Sequence, residues 1–304
     1  LIINFYHDKK LIYLQRKYIL LILISYAVIQ SSFTFAAIKK NNTFKMNWIT
    51  KMFSSSLGQK LIMSLTGLFL CTFLVVHMIG NLQLFKNDAG LAFNKYAVFM
   101  TTNPLIMITS YLLYATILFH AFKGLWLAYK NQKARPVKYQ AFDGKANSHW
   151  SSRNMGILGT IILVFVVVHM SNFWWEYKNG HVPYTRYMEN IQTGEIVSDY
   201  MPKEFTMHTK LEEQTEGLMK VTIVKDLYRE VAEEFKTEWW LVALYVISMA
   251  ALAFHLFHGF ASAFQTLGLN HKKYNGIINF IGIGVFAILI PIGFAAMPLY
   301  FFIK

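Results

Sequence analysis

Apolar residues in this chain run in long uncharged blocks rather than alternating or recurring on one helical face. A membrane core about 30 Å thick takes roughly 20 helical residues at about 1.5 Å each. Six stretches of that length lack Asp, Glu, Lys and Arg: residues 18–38, 61–85, 96–122, 154–175, 239–271 and 274–303. The last five follow one another and predict an all-α fold, an integral membrane bundle of five transmembrane helices. The first stands apart behind the connector Lys39, Lys40, Asn41, Asn42 and Lys45. With Lys9, Lys10, Arg16 and Lys17 before it and Phe35-Ala36-Ala37 at its end, it resembles a signal peptide. Met46, opening Met46-Asn47-Trp48, favours upstream sequence instead. The chain thus divides into an N-terminal extension, residues 1–45, and a five-helix domain, residues 46–304, with a long outer loop at 176–238.

Composition agrees with the pattern. Of 304 residues 55% are hydrophobic and 15% charged, where soluble folds carry about 25% charged. A cytosolic enzyme and a nucleic-acid-binding module are excluded on that basis. The net charge of +13 resolves by position. Lys130, Lys133, Arg135, Lys138, Lys145 and Arg153 fill the connection between the second and third spans, and Lys272 and Lys273 the turn between the fourth and fifth. By the positive-inside bias both face the cytoplasm. Residues 176–238 hold 13 of the 16 acidic residues and belong outside. The domain then starts inside and ends outside, in the cytoplasmic membrane. A single cysteine, Cys71, leaves no cysteine-ligated cluster, so redox chemistry must use other ligands.

Ionisable side chains within spans are functional hypotheses by default, and here they are histidines. The first three spans carry His77, His120 and His169; the fourth carries His255 and His258. Depth pairs His77 with His169 toward the outer side and His120 with His258 toward the inner side. Two imidazoles at one height on different helices are what a b-type haem takes as axial ligands. Four ligands make two haems b between the helices, with levels roughly 10 Å apart. The spacing Gly67 to His77-Met78 repeats as Gly159 to His169-Met170. His120 to Gly124 is matched with His258 to Ser262. His255, one turn above His258, is assigned to the haem surroundings.

These motifs, Ser64-Leu65-Thr66-Gly67 through Val76-His77-Met78, His120-Ala121-Phe122-Lys123-Gly124, Val168-His169-Met170 and Leu256-Phe257-His258-Gly259, resemble the five-helix, two-haem cytochrome b subunit of succinate dehydrogenase or fumarate reductase. The resemblance spans residues 46–304. It implies a non-catalytic electron-transfer subunit that anchors a flavoprotein subunit and an iron-sulfur subunit on the cytoplasmic side and exchanges electrons with a quinone, commonly menaquinone. It also places Ser64 near a haem propionate. Arg153, at the inner mouth of the third span, is an electrostatic candidate for a propionate or docking contact. Two departures stand out. A glutamate that some members place beside the fourth-span ligand corresponds to Leu256 here, and Asp88 is the only carboxylate between the first two spans. Within 209–237, Val221, Ile223, Val224, Leu227, Val231 and Phe235 among charges predict an amphipathic helix over the outer face. The rival readings are a dihaem subunit of another quinone-linked oxidoreductase and a non-redox membrane transporter.

Overall fold

A computed structural model of the chain describes residues 47–134, 146, 148–179, 182–202 and 204–304. The expectations for residues 1–45, and for the loop cations Arg135, Lys138 and Lys145, lie outside the described residues. The helix Trp48–Ser54 straddles the boundary between two compact units, of which the second, Phe53–Lys304, contains all the spans and the segments that connect them.

Five helices are long and apolar enough to cross a membrane: Ser56–Phe85, Pro104–Lys133, Met155–Asn179, Trp239–Thr266 and Lys272–Ile303. The protein is thus a multi-pass membrane protein by length and composition. The first span is α1 (Ser56–Asn81) with a 3₁₀ turn at Leu82–Phe85; Ser55 caps it by accepting from the Gly58 amide at 3.0 Å. A separate helix, α2 (Leu91–Thr102), comes next. The second span was expected from residue 96, yet it begins eight residues later, at α3 (Pro104–Lys133). Asn103 caps α3 by accepting from the Leu105 amide at 3.0 Å, and Pro104 has the fixed φ that suits a first helical position. The residue before a proline is also driven out of the helical region, and Asn103 is extended. Tyr96 therefore belongs to α2.

The third span is α4 (Met155–His169), continued by a π turn at Met170–Trp175 and one more turn to Asn179. The fourth, α6 (Trp239–Thr266), stops before Gly268 at φ 79° rather than running to residue 271. The fifth runs through α7 (Lys272–Phe280), a π segment at Ile281–Leu289, and α8 (Ile290–Ile303).

Residues 182–237 overturn the all-α expectation. They form a four-stranded antiparallel sheet, β1 (Tyr184–Asn190), β2 (Ile196–Tyr200), β3 (Leu211–Glu216) and β4 (Met219–Lys225), in the order β2-β1-β4-β3. Only Leu227–Thr237, here α5, is the amphipathic helix expected over 209–237. The strand signals are local. Val221-Thr222-Ile223-Val224 is β-branched throughout, and Gly217 at φ 62° opens a two-residue turn.

The sheet is tied to the bundle by buried polar groups. Asp226, 1% exposed, accepts from the Arg229 amide at 3.0 Å, capping α5. It also accepts from Asn94 Nδ2 of α2 at 2.7 Å and Thr185 Oγ1 of β1 at 2.5 Å. Asn94 accepts in turn from the Tyr228 amide at 2.9 Å. Lys225 donates to the Tyr177 carbonyl at the end of the third span, at 2.7 Å; burial lowers the pKa of this ammonium. Gly90, at φ 88°, leads into α2 so close to Tyr228 that a Cβ would lie 2.2 Å from that ring. Beneath, Leu84, Phe93, Phe173, Val231, Phe235, Leu241, Tyr245 and Phe301 form one apolar cluster joining cap and bundle.

Four spans close into a square. α1 packs beside α3, α3 beside α4, α4 beside α6 and α6 beside α1, while the fifth span packs on α6 and α1 from outside. The diagonals, α1 to α4 and α3 to α6, are not among the extensively packed pairs. The centre of the square is thus where side chains from opposite corners meet.

Candidate functional site

Two histidine pairs occupy the diagonals. His77 of α1 and His169 of α4 face each other with ring centroids 5.8 Å apart and planes at 82°. His120 of α3 faces His255 of α6 at 6.4 Å and 64°. A metal–imidazole bond of about 2 Å, with the ring centre about 1 Å behind the nitrogen, puts two trans imidazoles about 6 Å apart centre to centre. Both pairs have that spacing. All four rings are only half-buried, although they point into the bundle.

The levels are separated along the helices. A Cβ on Gly67 would lie 3.4 Å from His120 Cε1, and one on Gly159 would lie 3.8 Å from His255 Cε1. Each glycine therefore stands level with the second pair and ten residues from its own span's histidine. Ten residues are about 15 Å, more than the roughly 10 Å that the uncharged boundaries suggested. The first pair lies toward the sheet end and the second toward the opposite, loop end.

The sequence reading set His258 opposite His120, and here the structure differs: His255 takes that place. The two lie three residues apart, about 60° around the helix, and helix rotation decides which faces the diagonal. Leu252, Leu256 and Phe260 turn to the core formed with the fifth span. That orientation leaves His258 half-buried, toward the loop end, with His149 as its electrostatic neighbour.

The ring nitrogens away from the pair axis have partners in three of four cases. Thr66 Oγ1 lies 2.9 Å from His120 Nδ1. That hydroxyl already donates its one hydrogen to the Ile62 carbonyl at 2.8 Å, so toward His120 it accepts. Nδ1 of His120 then carries the proton, and Nε2 has a free lone pair. Tyr245 OH lies 2.9 Å from His169 Nδ1 and can act likewise. Second partners of this kind fix the tautomer and orientation of ligating imidazoles. Asn81 Nδ2 is 3.3 Å from His77 Nδ1 and donates to the His77 carbonyl at 2.7 Å; a ligating His77, protonated at Nδ1, requires this amide to rotate. His255 Nδ1 is buried without a hydrogen-bond partner.

Surroundings differ between the pairs. His77 stacks on Phe73 at 5.1 Å and meets Phe294 at 5.5 Å, while His169 lies 5.7 Å from both Phe165 and Phe173. The Phe235 ring of α5 meets the Tyr245 ring at 4.9 Å, bringing the cap against the residue whose hydroxyl lies beside His169. Ser64 is buried and donates to the Lys60 carbonyl of its own helix at 2.9 Å. Arg153 sits at the loop end and donates to the Ser148 carbonyl.

Thr66 and Tyr245 escaped the sequence reading. Tyr245 stands ten residues before His255, as Gly67 stands before His77, so the same step links the two levels on the fourth span. Among the described residues no three His, Cys, Asp or Glu side chains converge. Two axial imidazoles suffice for a macrocycle that brings its own four nitrogens, and the facing pairs fit that need. No family model, curated protein or solved structure matches the chain.

Proposed function

We propose that this chain is the membrane-anchor cytochrome b subunit of a succinate:quinone oxidoreductase, a succinate dehydrogenase or fumarate reductase. His77 and His169 hold one b haem, and His120 and His255 hold the other. The observation that carries the reading is the two imidazole pairs, with ring centroids 5.8 and 6.4 Å apart, facing each other on the two diagonals of a four-helix square, where each pair would hold one haem iron. When bound, the haems supply one-electron transfer between a quinone, commonly menaquinone in the family the sequence resembles, and an iron-sulfur partner subunit. The dicarboxylate chemistry falls to a flavoprotein partner.

The chain's own residues do the positioning. Thr66 holds the His120 ring through Nδ1 and leaves the Nε2 lone pair free, Tyr245 can do the same for His169, and Gly67 and Gly159 leave the helix surface open beside the second pair. The cap closes the sheet end, and Phe235 excludes water from the Tyr245 hydroxyl. Lys130, Lys133, Arg153, Lys272 and Lys273 gather at the loop end, which by the positive-inside bias is cytoplasmic and is the docking side for the partners. The sheet end, outside the cytoplasmic membrane, is the quinone side.

Reduced-minus-oxidised spectra of the purified protein test this. Two haems b per chain are expected. Alanine at 77 or 169 should remove one, alanine at 120 or 255 the other, and His258→Ala should keep both. Wild type without reducible haem overturns the reading. Loss of a haem in His258→Ala with both kept in His255→Ala overturns the ligand assignment alone. Co-purification with flavin and iron-sulfur subunits distinguishes this complex from other quinone-linked oxidoreductases.

A further inference from the structure

With His255 as the facing ring, a repeat emerges that the His258 alignment hides. His120-Ala121-Phe122-Lys123-Gly124 on α3 matches His255-Leu256-Phe257-His258-Gly259 on α6. Both spans run from the sheet end to the loop end, and the phenylalanines at matching positions, Phe122 and Phe257, are both exposed, 50% and 38%. The helices therefore share one rotational phase. Each carries a nitrogen base three residues beyond its pair histidine, about 4.5 Å nearer the loop end and about 60° around the helix. Because the helices are parallel and face each other, the same turn takes Lys123 to one flank of the diagonal and His258 to the other.

Charge makes Lys123 unusual. It is half-buried in a span, and every carboxylate among the described residues is Asp88 or belongs to residues 176–238, at the sheet end. Neither Lys123 nor His258 makes a hydrogen bond or ion pair to another described residue. A cation in an apolar span needs an anion or water. Beside Gly259 there is open space, with nothing within 4 Å of an added Cβ.

We propose that Lys123 and His258 form a two-sided clamp for carboxylates, each holding one of the two propionates along one edge of the loop-end haem. The inference rests on the dihaem reading. A buried carboxylate needs a charge-assisted donor, and two donors on opposite flanks of the diagonal match two propionates on one edge. The clamp sets the edge toward the loop end, and His149 stands behind His258.

The test is a redox titration of each haem, with redox-induced infrared difference spectra of carboxylate bands, on purified wild type, Lys123→Gln, Lys123→Arg and His258→Leu. Loss of the Lys123 charge, or of a hydrogen bond donated by the His258 ring, leaves a propionate's negative charge less compensated and disfavours the more negative, reduced state. Lys123→Gln and His258→Leu should therefore lower the loop-end haem's midpoint and displace its carboxylate bands, with the sheet-end haem unmoved and Lys123→Arg close to wild type. Unchanged potentials and bands in both Lys123→Gln and His258→Leu overturn the clamp while leaving the dihaem reading intact. A Lys123→Gln effect that appears only in vesicles containing anionic lipid assigns Lys123 to a headgroup phosphate and likewise overturns it. Wild type without haem overturns the dihaem reading and the clamp with it.

Discussion

The two histidine pairs share a diagonal geometry but are built differently. The sheet-end pair is walled by Phe73, Phe165, Phe173 and Phe294 and roofed by α5. The loop-end pair has glycines at its sides and an unpartnered His255 Nδ1. One site is enclosed by packing from a soluble cap, the other by the bundle alone. Disturbing the cap should therefore reach one pair and spare the other.

The largest effect is expected from Asp226→Ala. It leaves the buried Thr185 hydroxyl without its acceptor and one of the two Asn94 amide hydrogens unpaired, the other keeping the Tyr187 hydroxyl at 3.1 Å, at about 1–3 kcal/mol for each buried group, and removes the cap of α5. Limited proteolysis should cut faster within 184–225, and, on the proposed dihaem reading, the spectrum of a haem at the sheet end should broaden while that of a haem at the loop end is kept. Equal disturbance of both would erase the contrast. A smaller effect separates the two hydroxyls. On the proposed dihaem reading, Tyr245→Phe should shift only the potential of a haem at the sheet end and Thr66→Val only that of one at the loop end, each by an amount worth about 1 kcal/mol, read in redox titrations.

The smallest effect concerns pH. Lys95 of α2 hydrogen-bonds Glu213 of β3 at 2.7 Å, and Lys220 adds a second pair at 3.3 Å. The hydrogen bond from Lys95 is the main cause that holds the Glu213 carboxyl below its ordinary range. A carboxylate with a depressed folded-state pKa stabilises the fold above its unfolded value, and the contribution disappears as pH falls through the folded one. The pair is partly exposed, so no more than about 1 kcal/mol is involved. Acidification should raise amide exchange in β3 and α2 without raising it at the loop end of α3 and α6, and Glu213→Gln should flatten that dependence.

How much of the molecule is legible in its sequence depends on what each signal measures. Uncharged length measures the cost of burying charge, so all five spans appeared, yet it misses local stops. Asn103-Pro104 starts a helix inside an unbroken apolar block, and the same helix runs past the block's edge at Lys123 to Lys130 and Lys133 in its last turn, whose long side chains carry their charge toward water. Strands β3 and β4 were read as part of a helix because charges interleave the apolar residues of 209–237 at no clean period; the β-branched run at 221–224 and Gly217 held the better clue. At the site, depth alone identified the partners of His77 and His120 to within one turn. Choosing between His255 and His258 required the rotation of α6, which depends on packing against the fifth span and is not encoded in spacing.

The π turn at Met170–Trp175 begins one residue after His169. A π turn accommodates an extra residue without ending the helix. Before it, α4 keeps the angular phase that aims His169 across the square; within it, Asn172 and Phe173 turn toward Glu234 and Phe235 of α5. The turn acts as a phase shifter between a histidine-bearing shaft and the seat of the cap, so the two ends of one helix can be fitted to different partners independently.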